Sequence, residues 1–315
     1  MLEMTRRRFL AQSACTAAGA LVYNEASFAA QSSAPGLRFP SQPRERISVS
    51  SYSFRDFIVD PEIPAQTGAP RIELKDFAAH VVAKFKIDKI EPWTGHFPST
   101  DPRYLAGFRD ALQKANATIA NMAVDGESSP YALDAGEREK AIAFSKKWVD
   151  VTVALGAHSI RTNIPQAKDS TPDLDRTAAS FREVVEYASG KNVVIHLEND
   201  NPISEDPFFL VSLVEKVNSP WLHTLPDFCN SLTSGKTEYA YKGIDAMFGH
   251  AYGICHVREM QLTEDGNAVH ADLARTFGYL NQHRYRGYCS MEYDSPGDPY
   301  QGTADLIEKT IFYLT

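Results

Sequence analysis

Three carboxylates and one histidine recur through the second half of the chain: Glu198, Asp227, His256 and Glu292, spaced 29, 29 and 36 residues apart. Each closes a short apolar run, in the strings IHLEN, LPDFCN, CHVRE and SMEYD. One carboxylate at the end of such a run is usually a helix cap or a solvated loop residue. One histidine in an apolar strand is usually a core residue satisfied by hydrogen bonds. Four in succession, one per repeat of the chain, change that balance. Three carboxylates crowded together without a cation repel one another and lose hydration, which is very costly. A divalent ion removes the repulsion. One nitrogen with three carboxylates suits Mn²⁺, Mg²⁺, Co²⁺ or Zn²⁺ and disfavours a soft, thiolate-selective metal.

The four side chains need a scaffold that holds them at one height. Eight short β-branched or apolar runs stand at residues 47–54, 87–93, 119–125, 158–163, 193–199, 222–228, 253–258 and 287–293. Helical spacing fills the intervals, as at Phe77, Val81 and Phe85, and again at Phe181, Val184 and Val185. Alternating strands and helices predict a parallel sheet covered by helices, and a count of eight favours closure into a (β/α)8 TIM barrel over an open doubly wound sheet. No glycine-rich phosphate loop opens the first strand–helix turn, which weakens a nucleotide-binding version of the open sheet. Functional groups in such a barrel sit where strands run into the loops above them. Glu198, Asp227, His256 and Glu292 then share a height on the fifth to eighth strands. A Pro-rich insertion at residues 59–71 is expected to overhang the mouth.

Strand alternation sorts the neighbours. His196 shares the inward face of Glu198 one layer deeper, as barrel filling or as a partner that orients a ligand. Arg258 shares the face of His256 at the rim, where it grips an anionic or polyhydroxylated substrate or pairs with a ligand carboxylate. Cys255, Cys289 and Met291 face the helices. Among the first four strands, Glu91 is a substrate contact or a loop salt bridge, and Trp93 and Phe54 are packing residues or a wall for stacking a sugar. Arg161 and Asn163 end the fourth strand as candidate substrate contacts.

The chain has 315 residues, 43% hydrophobic and 23% charged, which is ordinary globular composition with ample length for one barrel. A net charge of −8 and the lack of a basic stripe with interleaved aromatics argue against nucleic-acid binding. Near the N-terminus, Thr5-Arg6-Arg7-Arg8-Phe9-Leu10 precedes a mild apolar stretch at residues 11–22 and small residues around position 30. The apolar part is too short for a bilayer span, so no stable membrane anchor is expected. This stretch resembles the twin-arginine export signal, which implies delivery of a folded protein to the periplasm or beyond. The expected division is a signal peptide at 1–30, a Ser/Pro/Arg-rich linker or irregular strap at 31–46, and the barrel at 47–315. Outside the signal, Cys229, Cys255 and Cys289 are odd in number and without framework spacing, and read as small buried hydrophobes.

Residues 47–315 resemble the sugar phosphate isomerase/epimerase superfamily, the barrels similar to xylose isomerase and endonuclease IV. The likeness rests on the order Glu, Asp, His, Glu over the last four strands. It rests also on the strings HLENDN (196–201), DFCN (227–230), HVRE (256–259) and SMEYD (290–294). It implies a xylose isomerase-like barrel in which Glu198, Asp227, His256 and Glu292 bind one metal ion, with Mn²⁺ foremost and Mg²⁺, Co²⁺ or Zn²⁺ as alternatives. An ion on adjacent carbonyl and hydroxyl oxygens acidifies the carbon-bound proton by stabilising an enediolate, which a carboxylate can then take and another return. In the epimerases of the family the first and last glutamates play both parts, here Glu198 and Glu292. Returning the proton gives a sugar isomerase or epimerase. Loss of a leaving group gives a lyase or dehydratase on a keto-sugar, glycoside or cyclitol, and a non-catalytic sugar-binding barrel is a further alternative. The ketohexose epimerases carry histidine three residues after the aspartate, where this chain has Asn230, a candidate substrate contact. They carry arginine six residues after the metal histidine, where this chain has Leu262. A basic residue two after that histidine, here Arg258, is closer to the inosose dehydratase branch. Endonuclease IV gathers three metals with additional histidines that are missing here. The expected partner is a free sugar or cyclitol, with export arguing against phosphorylated substrates and homo-oligomerisation left open.

Overall fold

The computed structural model describes residues 34–59, 71–263 and 265–315. The expected signal at 1–30 and nearly all of the Pro-rich insertion lie outside the described residues. The barrel staves are β1 (Ile47–Ser50), β2 (Lys89–Glu91), a third split into β3 (Thr118–Ile119) and β4 (Met122–Val124), β5 (Ser159–Thr162), β6 (Val194–Glu198), β7 (Leu222–Leu225), β8 (Ile254–Val257) and β11 (Tyr288–Met291). They pair in two parallel runs, β3-β2-β1-β11-β8 and β4-β5-β6-β7. Single bridges close both seams: Trp93 with Ala123 on one side, and Thr224 with Ala251 and Asp227 with His256 on the other. The outer layer holds α1 (Phe77–Phe85), α2 (Pro102–Ala115), α3 (Ala135–Ala154), α4 (Leu174–Ser189), α5 (Pro207–Val217), α6 (Thr237–Phe248), α7 (Leu273–Gln282) and α8 (Pro299–Leu314). None of the described helices is long and apolar enough to cross a membrane.

Several staves are shorter than their apolar runs, for local reasons. The first stops at Ser50, whose hydroxyl accepts from the Tyr52 amide and starts a 3-10 turn over Ser51–Phe54. The third breaks before Asn121, whose side chain bonds across to Glu91. The ladder of β7 ends at Leu225 because Pro226 has no N–H to donate. Five helices start on an aspartate that accepts a backbone amide: Asp134, Asp173, Asp206, Asp272 and Asp298. These are acids whose work is capping, and they set a contrast for the carboxylates inside the barrel.

The end of the barrel where strands begin is held by the segment before β1. Arg46 is 5% exposed and donates to the carbonyls of Gly287 and Tyr285. Phe39 packs edge-on against Tyr252 and Tyr288. Residues 35–46 therefore run as an irregular strap across the strand starts. Cys229, Cys255 and Cys289 are buried and free. A short antiparallel hairpin, β9 (Met260–Leu262) with β10 (Ala268–His270), projects from the opposite rim and was not expected from the apolar pattern.

Candidate metal centre

The strand ends bring the four spaced residues together. Glu198 is the last residue of β6, Asp227 follows the Pro226 break, His256 lies within β8, and Glu292 comes one residue after β11. One ligand atom from each lies within 4.8 Å of all the others. None of the four is more than 5% exposed. His256 Nδ1 is 2.7 Å from Glu198 Oε1 and 2.6 Å from Glu292 Oε2. Asp227 divides its oxygens: Oδ1 accepts the amides of Cys229 and Asn230, while Oδ2 is buried without a hydrogen-bond partner.

A hydrogen-bonded chain through the barrel interior decides how the His256 ring is protonated. It begins at the amide of Gly253, which can only donate, and does so to His196 Nε2 at 3.1 Å. Burial pushes the pKa of His196 down to about 3, so the ring is neutral and its one proton sits on Nδ1. That proton faces Ser159 Oγ at 3.2 Å, and the Ser159 hydroxyl in turn donates to Asn121 Oδ1. Asn121 Nδ2 donates to Glu91 Oε1 at 2.7 Å, and the Glu91 carboxylate faces His256 Nε2 at 3.0 Å. A carboxylate only accepts, so His256 keeps its proton on Nε2. Toward the centre there remain the Nδ1 lone pair, Glu198 Oε1, Glu292 Oε2 and Asp227 Oδ2, which lacks a hydrogen bond and has Arg258 Nε 3.4 Å away. Four acceptors converge, and a divalent cation fits that donor set. Gly253 is required by the approach, since a Cβ there would lie 2.7 Å from the His196 ring. Glu91→Gln removes the charge that orients His256, and is expected to weaken Mn²⁺ binding about tenfold by titration calorimetry.

Without a cation, protons do this work. Burial opposes charge on His256, but Glu198, Glu292 and Glu91 together hold its pKa well above the ordinary value. Burial pushes Asp227 up to about 6 and also raises Glu198. Glu292, although buried, is held low by His256 and Arg258. Metal uptake must therefore expel the Nδ1 proton of His256 at neutral pH and, below about pH 6, a second from Asp227. Calorimetry in buffers of differing ionisation enthalpy is expected to show release of about one proton at pH 7, with affinity falling more steeply below pH 6.

Beside the centre lies a cavity of about 260 Å³, bordered by Tyr52, Trp93, Arg161, Asp200, Arg258 and Asp294 among others. The rings of Tyr52 and Trp93 meet edge-on, 5.5 Å apart. Both arginines are already engaged. Arg161 pairs with Asp125 and stands 2.9 Å from Glu198 Oε2. Arg258 donates to Glu292 Oε1 at 2.5 Å and to Asp294 Oδ2 at 3.2 Å.

The sequence model of the xylose isomerase-like TIM barrel matches residues 79–310, most of the chain. The chain belongs to that family. Solved structures agree on the fold. A D-allulose 3-epimerase from Methylomonas sp. superposes with a TM-score of 0.64 at 18% identity, over 87% of this chain and 98% of the other. A D-psicose 3-epimerase from Clostridium cellulolyticum H10, solved with D-tagatose, gives 0.65 at 16% identity, over 85% and 99%. A xylose isomerase-like barrel from Mycobacterium smegmatis in complex with magnesium gives 0.63 at 16% identity, over 85% and 96%. No curated protein matches the sequence.

Within this xylose isomerase-like barrel, Trp93, Arg161 and Arg258 border the cavity, and Arg258 is the partner of a cluster carboxylate. The other expected contacts lie elsewhere. Glu91 is fully buried and turned toward His256, a role beneath the centre that replaces the expected substrate contact. Phe54 is core, tilted against Phe77. Asn163 braces both backbone groups of Gly126 outside the cavity. Asn230 is 2% exposed and donates to Glu198 Oε1 at 3.3 Å. His196 reaches the centre only through the chain of hydrogen bonds. Asp125 was missed: it accepts from Trp93 Nε1 and Arg161, and its place at the end of the third apolar run was the available signal. Asn121 gave no signal, because its partners Glu91 and Ser159 are 30 and 38 residues away.

Proposed function

We propose that this protein is a metal-dependent isomerase or epimerase of uncharged sugars, with Mn²⁺ as the ion. The observation that carries the reading is the convergence of four buried acceptors beside a cavity large enough for a monosaccharide. A divalent ion held by Glu198, Asp227, His256 and Glu292 supplies Lewis acidity toward adjacent carbonyl and hydroxyl oxygens of the sugar. Glu198 and Glu292 take and return the carbon-bound proton. Arg161 and Arg258 fix the orientation of those carboxylates, and Trp93 with Tyr52 covers the sugar from the side. The family's epimerase structures with D-allulose and with D-tagatose support the substrate class. Lyase chemistry from the same proton abstraction is a second reading, favoured by Asn230 and by Leu262, which is 42% exposed and offers no charge to a ketohexose.

Charge balance argues for an uncharged substrate. Arg161 is neutralised by Asp125 and Glu198, and Arg258 by Asp227, Glu292 and Asp294, so no cationic side chain there is free for a phosphate. The test is to incubate Mn²⁺-loaded protein in D₂O with D-fructose, D-allulose and D-tagatose and follow the sugars by NMR. Deuterium is expected on the carbon beside the carbonyl of at least one free sugar, with D-fructose 6-phosphate exchanging at least about tenfold more slowly. Equal exchange of the phosphate ester defeats the claim of an uncharged substrate. Absence of exchange in every sugar defeats the proton-transfer reading.

A further inference from the structure

The hairpin of β9 and β10 leaves the barrel just after Arg258, with Gln261 opposite Val269. Side chains alternate along β9. Met260 borders a separate hollow, its sulfur 3.7 Å from Ser295 Oγ, whereas Gln261 borders the cavity beside the metal centre. The Gln261 Oε1 atom is buried and has no hydrogen-bond partner, and its amide makes no other bond among the described residues. Gln261 as a whole is half-buried, but a buried amide oxygen left unpaired is costly unless something supplies the missing donor. The neighbouring wall cannot supply it, because Arg161 and Arg258 are committed to carboxylates. Gln261 is thus a neutral group able both to accept from a hydroxyl and to donate to one.

We infer that Gln261 is a specificity-determining residue that hydrogen-bonds one hydroxyl of the polyol substrate. The inference rests on the sugar reading above and adds to it the residue that senses a particular hydroxyl. A site built around a hydroxyl rejects an analogue lacking it, because the protein group is then stranded. Methionine at this position keeps the length of the side chain and removes both hydrogen-bonding functions.

The test measures binding of D-fructose, D-allulose, D-tagatose and their monodeoxy derivatives to Mn²⁺-loaded wild type, Gln261→Met and Gln261→Ala. Mn²⁺ affinity and thermal midpoint serve as controls for folding. For the best-bound sugar, wild type is expected to lose about three- to tenfold in affinity when one particular hydroxyl is deleted. Both variants are expected to bind the parent sugar weaker by the same factor and to be indifferent to that deletion. If the variants bind the parent sugar as wild type does, or lose the same factor for every deoxy derivative, Gln261 reads no hydroxyl and the inference falls alone. If no sugar binds metal-loaded wild type, the functional reading falls and takes the inference with it.

Discussion

Glu198→Gln is expected to lower kcat for sugar isomerisation by about a thousandfold or more, the upper range for losing a positioned general base. The substitution keeps the shape of the side chain and one oxygen beside His256 Nδ1. It removes the basicity, and it leaves the buried Arg161 guanidinium with Asp125 as its remaining carboxylate partner. Two consequences have to be separated. Loss of turnover through metal loss shows as a lower metal content by elemental analysis, whereas loss of the base leaves the metal bound and stops deuterium entering the sugar. At saturating Mn²⁺ the second outcome is expected. A variant that holds metal and exchanges deuterium at nearly the wild-type rate would remove Glu198 from the proton path.

The four clustered residues were legible because barrel geometry turns an even sequence spacing into a ring. Once the strands were counted, Glu198, Asp227, His256 and Glu292 could be placed at one height without a distance. What surrounds them was less legible. Glu91 reads from the sequence as a substrate contact or a loop salt bridge because it ends a strand, but the donor its carboxylate accepts from is the Nε2–H of a histidine 165 residues away. The chain from Gly253 to Glu91 crosses five segments of the fold, and no local pattern announces such a contact. The missed hairpin did have a local sign, the Asp265-Gly266 pair, with Gly266 at φ 78°. Its flanking strands of three residues were too short and too polar to stand out by alternation. The capping aspartates show the opposite case: Asp206 before Pro207 is readable as a helix start from two residues alone.

Asp227→Asn separates the metal from the fold most cleanly. Its Oδ1 can still accept the Cys229 and Asn230 amides, so the local turn is retained. Arg258 keeps Glu292 and Asp294 as partners. The variant loses a buried charge whose pKa in the ion-free protein is raised to about 6, above its ordinary carboxylate value. A raised carboxylate pKa means a stabilising contribution that is complete below the unfolded-state value and lost as pH rises through about 6. At pH 7.5 the ion-free wild type therefore carries the full cost of this charge, and ion-free Asp227→Asn is expected to melt no lower than wild type. With Mn²⁺ the order reverses. Losing a ligand should weaken binding by at least about 100-fold, more than a supporting residue would. Where ion is saturating for wild type, that loss removes about 2.7 kcal/mol of linkage stabilisation, or roughly 5 °C of thermal shift. Calorimetric melts at pH 5 and pH 7.5, with and without Mn²⁺, resolve both effects. The wild-type shift on adding metal should be larger at pH 7.5, because at pH 5 protons already occupy the carboxylates that the ion needs. A shift that is equal at both pH values, or intact in Asp227→Asn, would mean that the cation these carboxylates call for binds somewhere else.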